Sequence, residues 1–78
     1  MLKFKLLEET PQMVIYEYYP EGGLDAGIVS YDKEKKTNTI VALSVQDKHQ
    51  IYALKLFARI REFASTNSFK TEGIIAWY

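Results

Sequence analysis

Cysteine is absent from the chain. Disulfides, thiolate metal ligands and cysteine nucleophiles are excluded with it. A chain of 78 residues buries only a small core, so it has few other ways to gain stability. Association with a second copy is the remaining device. Histidine is nearly absent too: His49 is the only one. A single imidazole cannot build a zinc site, which takes three or four N, S or O ligands. Asp47 and His49 could supplement a metal, but no other spacing supports one, and no metal or cofactor is expected. Glycine is sparse. Gly22, Gly23 and Gly27 form neither G-x-G-x-x-G nor a P-loop and read as turn residues. Ser30, Ser44, Ser65 and Ser68 lack a nucleophile elbow and a Ser–His–Asp arrangement. The reading is non-enzymatic.

Charge of one sign is missing as well. Ten basic and ten acidic residues cancel. That balance argues against a general nucleic-acid binder, which is usually strongly basic, and equally against an acidic mimic of DNA. No apolar run approaches the roughly 18 residues of a membrane helix. The first residues, MLKFKLLEE, lack the apolar centre of a signal peptide. The expected setting is the cytoplasm, with no membrane partner.

What is present is a globular pattern, 47 % apolar, which argues against disorder. The segment from Asp47 to Thr66 has a clear helical period. Ala53, Leu56, Phe57, Ile60, Phe63 and Ala64 fall on one stripe at about 100° per residue. Asp47 is the expected N-cap, and the run Ser65-Thr66-Asn67-Ser68 the stop.

The rest reads as strands. Leu2 to Leu6 alternates, and Glu8-Glu9-Thr10-Pro11 is the turn after it. Met13 to Tyr19 is the second strand, rich in β-branched and aromatic residues. Gly27 to Tyr31 is the third and Thr37 to Val45 the fourth, joined by the charged turn Asp32 to Lys36. Glu72 to Trp77 is the fifth. The expectation is one α+β domain over residues 1–78, in the order β-β-β-β-α-β. Its antiparallel five-stranded sheet has the strand order 5-1-2-3-4, with one helix packed on one face.

One helix, about 10 Å across, cannot cover both faces of five strands spaced about 4.8 Å apart. The uncovered face is expected to carry aromatics and to bind a partner, either a second copy or another protein. Tyr16, Tyr18 and Trp77 are the candidate contacts, since Tyr and Trp combine apolar area with a polar handle. The alternative reading is a nucleic-acid-binding accessory protein that uses Lys48, Lys55, Arg59 and Arg61 on the outer helix surface. Salt separates the two readings, because phosphate binding weakens steeply as salt rises.

Tyr18-Tyr19-Pro20-Glu21-Gly22, Gly27-Ile28-Val29, Tyr31-Asp32-Lys33, Tyr52-Ala53, Arg59 to Phe63 and the stretch Gly73 to Tyr78 together carry a resemblance. It covers most of the chain. The chain resembles a family of small uncharacterised proteins of Gram-positive bacteria and their phages or mobile elements. The resemblance implies a bacterial, cytoplasmic protein and assigns no functional residues.

Overall fold

The computed structural model describes residues 1–76. Five strands and one helix follow one another as β1 (Leu2–Glu9), β2 (Met13–Pro20), β3 (Gly27–Asp32), β4 (Thr37–Ala42), α1 (Ile51–Ser65) and β5 (Glu72–Ile75). Every strand pair is antiparallel. The strand order is β4-β3-β2-β1-β5, which is the expected order read from the other edge. Short turns make the first four strands a meander, and α1 crosses the sheet so that β5 returns beside β1. The fold is α+β, with the helix on one face.

Turn chemistry explains the hairpins. At the first turn the Thr10 hydroxyl accepts the Gln12 and Met13 N–H groups. At the third, the Asp32 carboxylate accepts the N–H groups of Glu34 and Lys35, and Lys36 follows with φ 58°. The charged stretch is therefore a hairpin turn, as its composition suggests. The helix stops in a Schellman motif. Asn67 takes the left-handed conformation at φ 50°, its N–H reaches the Ala64 carbonyl, and the Ser68 N–H reaches that of Phe63.

The core lies between α1 and one face of the sheet. Leu2, Phe4, Val14, Tyr16, Tyr18, Val29, Tyr31 and Ile75 meet Ala53, Leu56, Ile60 and Phe63. Phe4 and Tyr16 pack edge to face at 5.6 Å, with Phe63 against both. Phe57 and Ala64, the flanks of the predicted stripe, are half-buried.

Three boundaries differ from expectation by three residues or more, each for a physical reason. β1 runs on to Glu9 through a bulge, because Leu6 pairs with Tyr16 while Glu8 pairs with Ile15. Leu7 is the extra residue and points to solvent. β4 ends at Ala42, not Val45. The chain turns away there as the Ser44 hydroxyl donates to the Asp25 carbonyl and the Val45 N–H to the Asp25 carboxylate. A second bulge leaves Val41 unpaired, since Ile28 pairs with Ala42 and Val29 with Ile40. Finally, α1 starts at Ile51 rather than near Asp47. Gln50 stands in the left-handed region at φ 61°, which breaks the helical path before it.

Candidate interaction surface

The strand β2 decides which face is covered. Glu17 shares a face with Met13, Ile15 and Tyr19, and this face has no helix on it. The charge-free side (Val14, Tyr16, Tyr18) goes under α1. Tyr16 and Tyr18 are both 0 % exposed. The expectation that these two tyrosines meet a partner is corrected by this placement: they are core residues, and their hydroxyls are satisfied internally. Tyr16 donates to the Lys70 carbonyl at 2.7 Å. Tyr18 donates to Asp47 at 3.0 Å and accepts from the Ser44 N–H at 3.3 Å. Trp77, the third candidate contact, lies outside the described residues.

Asp47 is the residue whose role the sequence understated. It is 2 % exposed. Its Oδ2 accepts from the Tyr18 hydroxyl and, at 2.9 Å, from the Ala53 N–H; its Oδ1 accepts from the Tyr52 N–H at 3.0 Å. It does cap the helix, but from four residues before its first turn, and in doing so ties α1 to the middle of the sheet. A carboxylate there also complements the positive end of the helix dipole.

Burial pushes the Tyr18 phenol up to about 12 from an ordinary 10.0, with Asp47 adding to the shift and the Ser44 N–H opposing it. Burial, and secondarily Glu9, also holds the Tyr16 phenol up. The folded pKa values lie above the unfolded ones, so this contribution is complete below about pH 10. It is lost as pH rises through about 12. Urea midpoints should therefore be flat to about pH 10 and fall steeply beyond it, and Tyr18→Phe should soften the fall. An unchanged alkaline slope in Tyr18→Phe would separate the tyrosine from it.

The uncovered sheet face is mixed rather than aromatic. Lys5 sits opposite Glu17 on one side and Glu72 on the other, and Lys3 lies between Tyr19 and Ile74. Leu24, 99 % exposed, borders a depression of about 340 Å³ on this face.

The four cations of the nucleic-acid reading are not brought together. Lys48 precedes the helix. Lys55 and Arg59 share one flank, where Arg59 meets Glu62 at 3.1 Å. Arg61 lies about 160° around the axis from Arg59, on the other flank. It borders a separate cleft with Lys33 and Lys36. His49 is exposed beside Lys48. Among the described residues, no group of three His, Cys, Asp or Glu side chains is placed to hold a metal ion, and no helix is long and apolar enough to cross a membrane.

Five of the nine exposed large apolar residues among those described lie on β4, the segment after it and the start of α1. Val41, Leu43 and Val45 follow one another at and beyond the end of β4, and Val45 is 71 % exposed. Ile51 and Leu54 stand on the outer side of the first turns of α1, with Ala58 on the same line. Val45 and Ile51 line one shallow depression of about 240 Å³. β4 is itself an edge strand. From Thr37 to Gln46 there is no charged residue, the longest such run in the chain. That run was the available sequence signal for this surface. No family model matches the chain, and no curated protein or solved structure was found similar to it.

Proposed function

We propose that this protein acts by binding rather than by catalysis, as an interaction module that pairs with a second copy of itself along the β4 edge. The observation that carries the reading is the uncharged edge strand running into an exposed apolar belt. Edge strands offer unpaired N–H and C=O groups, and folds that avoid association blunt them with Lys, Pro or bulges. Here β4 has neither Lys nor Pro, only the bulge at Val41. The bulge limits regular pairing to Thr37–Ile40, so the strand alone is too small an interface.

An interface of usual size takes about 800 Å² per partner. That is roughly a sixth of the 5078 Å² surface. Val41, Leu43, Val45, Ile51 and Leu54 supply the apolar remainder. A two-fold antiparallel pairing sets the neutral strand against itself, so no like charges oppose one another. The buried Asn38 Oδ1, on the same edge, accepts no hydrogen bond among the described residues, and an added strand brings donors near it. The bacterial, cytoplasmic setting and the phage or mobile-element origin implied by the resemblance belong to this reading, as does binding of a further protein on faces left outside the dimer.

Light scattering over a concentration series tests it. The expected mass is twice 9.1 kDa, little changed by salt, falling to one chain in Thr39→Lys and in Val45→Asp. Both sites are exposed, so folding should survive. A wild-type monomer at the highest attainable concentration would remove the dimer from the proposal.

A further inference from the structure

We propose that the cleft at the C-terminal end of α1 binds a small phosphomonoester with an aromatic body, a nucleoside monophosphate being the representative ligand. The site is independent of the β4 belt. It is a cavity of about 420 Å³, within the usual range for small-ligand pockets. Three cations from two separate elements border it: Lys33 and Lys36 from the β3–β4 turn, and Arg61 from α1. No acidic side chain lines it. In a chain of zero net charge this is a marked local excess.

The charges are not equivalent. Lys33 is already engaged, 3.0 Å from Glu9 and 5.0 Å from the Phe69 ring centre. Among the described residues neither Lys36 nor Arg61 has an ion-pair partner. Two unengaged cations match the charge of about −2 on a phosphomonoester near neutral pH, whereas a carboxylate would neutralise only one. The Arg61 guanidinium can bind phosphate oxygens in pairs. Asn67 borders the same space with an amide donor.

The lining also has an apolar part. Tyr31 and Phe69 stand 6.2 Å apart with their rings tilted by 44°, and Ala64 continues the surface. Tyr31 is 4 % exposed and Lys33 lies over the Phe69 ring, so half-buried Phe69 and Ala64 supply the apolar contact for the body of the ligand. The helix dipole opposes an anion at this end, a modest effect confined to the last turn. The Schellman motif weakens that opposition by covering the Phe63 and Ala64 carbonyls.

The test is an amide-shift titration of the ¹⁵N-labelled protein with AMP, adenosine and inorganic phosphate. AMP should give saturable shifts at Lys36, Arg61, Asn67 and Phe69. Adenosine and phosphate alone should bind at least tenfold more weakly. Arg61→Ala should weaken AMP about tenfold, while Arg59→Ala, which removes the same charge from the other flank, should leave it unchanged. A 5′-phosphorylated oligonucleotide and its unphosphorylated twin identify the source. If the phosphorylated strand binds far better than AMP, the ligand is a nucleic-acid end; if the two match, a free nucleotide suffices. Either result supports the site. Absence of saturable shifts with AMP, equal loss in the two arginine variants, or equal binding of the two oligonucleotides would overturn it.

Discussion

Asp47→Ala should destabilise the fold by about 3 to 4 kcal/mol, the largest loss expected from removing one polar side chain here. Three donors lose their acceptor together: the Tyr18 hydroxyl and the N–H groups of Tyr52 and Ala53. Tyr18 is fully buried and Ala53 is too, so water cannot take the place of the carboxylate without opening the structure. Each orphaned buried donor costs about 1 to 3 kcal/mol. A domain of 78 residues has about 4 to 12 kcal/mol in total. The melting temperature should therefore fall by about 12 to 32 °C, at about 4 to 8 °C per kcal/mol for a domain of this size.

The partner variant makes the interpretation specific. Tyr18→Phe removes the hydroxyl but keeps the ring, and should cost about 1 to 2 kcal/mol. The double variant should cost less than the sum of the two, because each removes the other's partner. Additive losses would mean that Asp47 acts only as a helix cap, and an Asp47→Ala protein that melts with the wild type would deny it any structural role.

Asp47 also shows where sequence reading reaches and where it stops. A short acidic side chain ahead of an apolar helical stripe is a cap signal, and it does cap. Its reach past the left-handed Gln50 to N–H groups five and six positions on depends on a backbone conformation that composition does not encode. Its bond to Tyr18 depends on tertiary placement. The strand order was legible because short turns force a meander and the helix then fixes the direction of β5. The identity of the buried face was legible too, through Glu17: it marks one side of β2 as wet, so Tyr16 and Tyr18 had to go inward. Reading tyrosines as interface residues overrode that single charge. The bulges at Leu7 and Val41 were not legible, because a strict two-residue period assigns every strand residue to one of two faces. Each inserted residue breaks that period, and each carries an apolar side chain into solvent. The candidate surface beyond β4 begins at one such residue.

Gly27→Ala should cost about 3 kcal/mol, at or beyond the upper end of ordinary overpacking. The reason is space, not backbone freedom. Gly22 is the glycine that uses a positive φ, at 70° in the β2–β3 turn. Gly27 instead opens β3 directly opposite Tyr18, whose ring lies across it. A Cβ on Gly27 would sit 2.2 Å from Tyr18 Cε1 and 2.7 Å from its hydroxyl oxygen. The ring cannot slide aside freely, because its hydroxyl is held by Asp47 and Ser44. A single added methyl therefore forces either a strained ring or loss of the bonds that join helix to sheet.

The other glycines supply the scale. At Gly73 a Cβ would meet the tip of the Phe4 ring at 2.8 Å, on the short strand β5, and alanine there should cost about 1 to 2 kcal/mol. At Gly23 the obstacle is the end of the Gln46 side chain, at 2.5 Å, which can rotate away. Alanine at Gly23 should lie within about 0.5 kcal/mol of wild type. Thermal melts of the three variants should give the order Gly27, Gly73, Gly23, and shortening Tyr18 in the Gly27→Ala background should recover part of the loss through negative coupling. If Gly27→Ala proves as mild as Gly23→Ala, the Tyr18 ring has room to move. The hydrogen-bonded hub it forms with Asp47 would then be looser than its distances imply, and the loss expected of Asp47→Ala would shrink with it.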